Sequence, residues 1–199
     1  MKYLITCISV FYICVNCHSQ ATKEEVELLR KEHKEHLSDT AYGYLNLEEI
    51  EHFEGLDYFP FDESFQIKAK FTKKKGRSFE MPTSTDRKPW YRRYGYLDFE
   101  VNGVQCRLEV YQNLALKQSK EHKHHLFLPM RDKTSAKTSY GGGRFLDLTI
   151  PKDEFLIIDF NLLYNPYCAY SDRYSCPIPP AVNTLNVSIL AGEKTPHGH

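Results

Sequence analysis

Two stretches of the chain bring together residue types that can hold an anion. Arg131-Asp132-Lys133-Thr134 follows directly on an apolar run, and Tyr140-Gly141-Gly142-Gly143-Arg144 precedes another. Successive glycines leave backbone N–H groups free to line a negative charge, and Arg131 and Arg144 could add forked donors for a carboxylate or phosphate. The plainer alternative is a wide hairpin loop in which Arg131 pairs with a nearby acid. In the second stretch, Asp159-Phe160-Asn161 closes the apolar run 155–158 and leads into Tyr164-Asn165-Pro166-Tyr167-Cys168. Polar groups at the end of a buried strand are well placed to line a pocket. Equally, Asp159, Asn161 and Asn165 can satisfy backbone groups in turns while Tyr167 packs.

Other clusters carry less. His122, His124 and His125 lie in a basic stretch without a carboxylate at metal-ligand spacing, which favours a solvated loop, so no metal site is assigned. No GxGxxG, Walker, GxSxG or HExxH pattern occurs, and no cofactor is expected. Of the six cysteines, Cys7, Cys14 and Cys17 belong to the amino-terminal segment, and Cys106 sits in a strand pattern as a small buried hydrophobe. Cys168 and Cys176 bracket a short loop and form the natural disulfide pair of an exported chain, worth roughly 2–3 kcal/mol in the chain-entropy account. A thiolate nucleophile at Cys168, or a zinc site, is the sharper alternative.

The elements that must position these residues follow from periodicity. Thr22 to Leu37 predicts an amphipathic helix capped by Thr22, with Val26, Leu29, His33 and Leu37 along one side. A short helical turn is expected at Leu47 to Phe53, then an extended Tyr58-Phe59-Pro60-Phe61. Beyond it the period becomes two: Phe65 to Phe71, Leu97 to Val101 and Val104 to Val110 read as strands, the last two joined by Asn102-Gly103, a hairpin turn of residues that tolerate positive φ. Further strands are expected at Leu126 to Met130, Arg144 to Leu148, Phe155 to Phe160 and Leu185 to Leu190. The fold class is mainly β (α+β): an N-terminal helix followed by an antiparallel β-barrel or sandwich.

The amino terminus has the form of a secretory signal peptide, with Lys2 followed by the mostly apolar run 3–15. It ends either at residue 17, with Cys17 lipidated at a relaxed lipobox, or at residue 21 by simple cleavage. Residues 18–45 then form a tether and helix, and 46–195 a single β-rich domain. The expected location is the periplasm or outer membrane as a lipoprotein, otherwise the exterior, with contact to membrane only through the lipid. The 26 basic and 26 acidic residues balance. That excludes a binder of nucleic acid that works by neutralising phosphates.

The segments YRRYGYLDFEVNGVQCRLEVYQN, LFLPMRDKTSAKTSYGGGRFLDL, IDFNLLYNPYCAYSDRYSCPIPP and LNVSILAGEK resemble a bacterial exported family filed as domain of unknown function 1684, over about Leu47 to Lys194. The resemblance implies no activity. It does place weight on Arg131, Asp132, Tyr140, Arg144, Asp159, Asn161, Asn165 and Tyr167 ahead of the histidines. The leading expectation is a non-catalytic module that binds a small polar or anionic ligand. Arg131 and Arg144 would bind the anion, Gly141, Gly142 and Gly143 would give donors, and Asp159, Asn161 and Tyr167 would orient the rest. The rivals are a cell-envelope hydrolase or transferase using Asp132 or Asp159 with Arg131 or Arg144, and a purely structural envelope protein.

Overall fold

The first helix starts at Thr22 because that side chain and Glu25 satisfy each other's backbone. In this computed structural model, which describes residues 20–196, Glu25 N–H donates to Thr22 Oγ1 at 3.2 Å and Thr22 N–H to the Glu25 carboxylate at 2.8 Å. The predicted leader and Cys17 lie outside these residues. The helix, α1 (Lys23–Ser38), buries Val26, Arg30 and Leu37 against the body of the protein. A second capping box, Asn46 with Glu49, opens the short α2 (Leu47–Glu51).

Seven strands follow: β1 (Gln66–Lys73), β2 (Ser78–Glu80), β3 (Trp90–Val101), β4 (Val104–Asn113), β5 (His125–Met130), β6 (Arg144–Thr149) and β7 (Phe155–Asp159). They form one curled antiparallel half-barrel sheet in the order β6-β5-β4-β3-β1-β7, with β2 paired to β3. The β3–β4 hairpin turns at Asn102 (φ 49°) and Gly103 (φ 78°), the two positive-φ residues its tight turn requires. Alternation divides the side chains between two faces. Leu97, Leu108, Leu126, Leu128, Leu146 and Ile158 fill the main core, while Tyr91, Tyr111, Phe127, Phe145 and Met81 form a smaller cluster with Cys176.

The curl is closed by a short crossing. β7 pairs with β1 at one edge of the sheet, and after a 3-10 turn (Phe160–Leu162) Tyr164 exchanges backbone hydrogen bonds with Phe145 of β6 at the other edge. A few residues reach at most about 3.5 Å each, so this link is possible only because the two edges have come close together.

One expected strand is absent. Leu185, Val187, Ile189 and Ala191 are buried and alternate with exposed residues as anticipated, yet the segment is not a strand. It begins parallel to the chain after β5, where Arg131 N–H donates to Asn183 O, Leu185 N–H to Arg131 O and Lys133 N–H to Val187 O. Beyond that point its backbone partners are side chains.

Candidate functional site

Those side chains are Asp132 and Arg144. Asp132 accepts the Ile189 N–H at 2.6 Å together with the hydroxyls of Thr134 and Ser135. Arg144, 1% exposed, donates to the backbone carbonyls of Ile189 (2.9 Å), Ala191 and Glu193 (3.2 Å), and pairs with Asp132 at 3.4 Å. Its donors are therefore spent on the chain itself, and none is presented to a ligand. Burial lowers the guanidinium pKa and the charge of Asp132 opposes the shift.

The glycine run is held through its carbonyls. Arg131 donates to the carbonyls of Gly141 and Gly142, each at 3.3 Å, and to that of Pro179 at 3.5 Å. The carbonyls of the loop thus serve as acceptors for an arginine of the same chain. Gly143 has φ 96°, and a Cβ there would lie 2.7 Å from Met130 O, so glycine is required for this close approach.

Asp159, Asn161 and Asn165 serve turns and crossings. Asp159 accepts from Gln66 Nε2 (2.7 Å) and from the backbone and side-chain N–H of Asn161 (both 2.9 Å). Asn161 in turn holds both backbone groups of Asp62. Asn165 donates from backbone and side chain to Glu193, a fully buried carboxylic acid that desolvation pushes up to about 8. The carboxylate oxygens of Asp132 and Asp159 are thus both engaged within the fold.

Tyr167, of the expected set, lines an open groove, of about 510 Å³, between α1 and the edge of the half-barrel. Its walls are Leu29, Leu146, Leu162 and Leu163, and its polar groups come from Arg30, His33, Tyr58, Asp147 and Tyr164. Arg30 is 7% exposed; it donates to Asn161 O at 3.0 Å and to Glu27 at 3.1 Å and lies over the Tyr58 ring, while its buried Nε has no partner among the described residues. His33 Nδ1 meets Tyr58 Oη at 3.2 Å, and the imidazole tautomer sets which of the two donates; burial, with a smaller contribution from His36, pulls the imidazole down to about 4, so it is neutral. Tyr164 donates to Asp147 Oδ2 at 2.7 Å, and His125 Nε2 contacts Oδ1 of the same carboxylate at 2.7 Å. Sequence reasoning named His33 only as part of a helix stripe and passed over Arg30. The available signal was an arginine four residues after Val26, a charge on the apolar side of α1.

The expected disulfide is not formed. Cys106, Cys168 and Cys176 are thiols, and the Cys168 N–H donates to Cys176 Sγ at 3.4 Å. Among the described residues, no group of three or more His, Cys, Asp or Glu is arranged to hold a metal ion.

The sequence profile of the family described as "Protein of unknown function (DUF1684)" matches residues 51–194. The solution NMR structure of an uncharacterized protein of Haloarcula marismortui is similar, with a TM-score of 0.67 and 33% identity, over 89% of this chain and 96% of that one. No curated protein matches the chain.

Proposed function

Because the chain belongs to the DUF1684 family, whose description names no chemistry, we propose from its own residues that it is a non-catalytic module binding a small amphipathic anion in the groove beneath α1. The observation that carries this reading is the buried, unpartnered Nε of Arg30 in the wall of an otherwise leucine- and tyrosine-lined cavity. A buried donor left unpaired costs about 1–3 kcal/mol, and an incoming carboxylate removes that cost. The leucines and tyrosines suit an apolar or aromatic body, and neutral His33 adds no second positive charge. The anion-binding role expected of Arg131 and Arg144 passes to Arg30.

Benzoate and octanoate serve as probes. Titration followed by NMR is expected to shift the His33 and Tyr58 resonances saturably, and Arg30→Met is expected to weaken binding at least tenfold while leaving the backbone spectrum intact. Absence of shifts with both probes, or equal binding by Arg30→Met, would sink the reading.

The finer expectation of export rests on the amino-terminal sequence, Lys2 and the apolar run after it. Its test is the intact mass of the protein isolated from its own cells. A chain starting at Cys17 with acyl mass supports the lipoprotein, and one starting at residue 22 supports simple cleavage. A full-length chain beginning at Met1 rejects both.

A further inference from the structure

On the face of the sheet away from the main core, the thiols of Cys168 and Cys176 meet in a setting made of donors. The Cys168 N–H donates to Cys176 Sγ at 3.4 Å, and the Cys176, Ser84 and Tyr140 side chains all act as donors towards the Cys168 sulfur. Their positions are fixed from several elements. Ser84 and Cys176 exchange hydrogen bonds, Ser84 N–H to Cys176 O at 2.9 Å and Cys176 N–H to Ser84 Oγ at 3.1 Å. Cys168 lies in the 3-10 turn Tyr167–Ala169, whose neighbour Tyr167 stacks on Tyr44. Cys168 is partly exposed and Cys176 is buried.

We propose that Cys168 and Cys176 form a thiol–disulfide exchange site, in which Cys168 reacts first with a small-molecule disulfide and Cys176 resolves the product. The Cys168 thiolate attacks one sulfur of the incoming disulfide; its S–S bond breaks, a mixed disulfide forms on Cys168, and one small thiolate leaves and takes a proton. Cys176, deprotonated in turn, attacks the Cys168 sulfur, closing the intramolecular disulfide and expelling the second small thiol. Overall two protein thiols are oxidised and one small disulfide is reduced to two thiols. The order follows from access, since only Cys168 is open to an incoming reagent.

Two features distinguish this pair from a disulfide that only braces the fold. The donors around Cys168 favour its thiolate, holding that thiol well below the ordinary range, while donation to Cys168 and burial push Cys176 up. Closing the disulfide takes the accepting charge away from the Ser84 and Tyr140 hydroxyls. The reduced state is therefore the stabilised one, and the disulfide is readily reopened.

The test equilibrates the folded chain in mixtures of reduced and oxidised glutathione, quenches with acid, alkylates, and reads the thiols by mass. The expected result is one reversible transition in which Cys168 and Cys176 disappear together while Cys106 stays reduced. Cys176→Ser is expected to accumulate one glutathione on Cys168. The rate of Cys168 alkylation should reach half its plateau at a pH below that of an ordinary thiol, about 8.5. Tyr140→Phe should raise that midpoint by about one unit, and more reduced glutathione should then be needed to reopen the disulfide. Ser84→Ala gives the same readout if Tyr140→Phe does not fold. Thiols that survive excess oxidised glutathione, a disulfide that reduced glutathione leaves closed, or an ordinary alkylation midpoint at Cys168 would each overturn the proposal.

Discussion

At Arg144 one guanidinium is shared among three carbonyls of the carboxyl-terminal segment and one buried carboxylate, so its charge is compensated only while that segment is docked. Removing one partner of a buried pair leaves the other charged and unsatisfied, at a cost of about 3–5 kcal/mol. Arg144→Met is therefore expected to lower the unfolding free energy by that amount in urea titrations, whereas Arg131→Met, whose bonds are to a partly exposed loop, should cost much less. Equal losses would contradict this assignment. The sequence marked both arginines as special but could not separate them. Arg144 takes its meaning from carbonyls 45 to 49 residues away, which no local pattern encodes. By contrast Thr22 with Glu25, and Asn102 with Gly103, were readable because a cap and a tight turn are completed within a few residues.

At the scale of elements, α1 and the extended carboxyl-terminal segment each carry one group with a strongly shifted pKa, and the two act in opposite directions. His33, on α1, is held neutral down to about 4, while its unfolded counterpart protonates near 6.5; stability from this group is complete above 6.5 and is lost as pH falls towards 4. Glu193 is raised from 4.5 to about 8, so the native state keeps a proton the unfolded chain has released, and stability from this group falls as pH rises through that window. Where the windows overlap, between 4.5 and 6.5, the slopes oppose each other. Between 6.5 and 8 Glu193 contributes a decline of about 1 kcal/mol per pH unit, which the Cys168 thiol, lowered from 9.0 to about 6, opposes because in the native state it has released a proton the unfolded chain keeps. Urea midpoints for Glu193→Gln should rise with pH across that range relative to the parent chain, and those for His33→Gln should show a decline from 4.5 towards 6. A decline that persists in Glu193→Gln would reject the assignment. Elements were otherwise the most legible level of this chain. The short β2 and the first half of β3 were not anticipated, and the one expected strand that is absent, Leu185 to Leu190, has a strand's alternation but takes most of its partners from Asp132 and Arg144.

Taken as a whole molecule, the half-barrel is legible in outline, because six of its strands announce themselves by alternation, but its closure is not. Nothing in the run after Asp159 shows that it carries the chain from one sheet edge to the other, or that the groove lies where α1 covers that crossing. Both depend on the curl of the sheet, which is a collective property of its strands. The two regions put forward for binding and for thiol chemistry share Tyr167, which lines the groove, stacks on Tyr44 and precedes Cys168. Tyr164 likewise lines the groove and packs on the cluster that contains Cys176.

The docking of the carboxyl end has a consequence in time. Leu185, Val187, Ile189 and Ala191 complete the main core, Phe59 N–H donates to Gly192 O, and Lys194 pairs with Asp57 across 137 residues. The first strands thus wait for the last residues to be synthesised before their inner face is covered. Contacts this distant in sequence are slow to form and reward the chain only when it is finished. A nascent chain of this kind therefore stays open to whatever meets its front end for as long as its tail is still being made, and closes only on release.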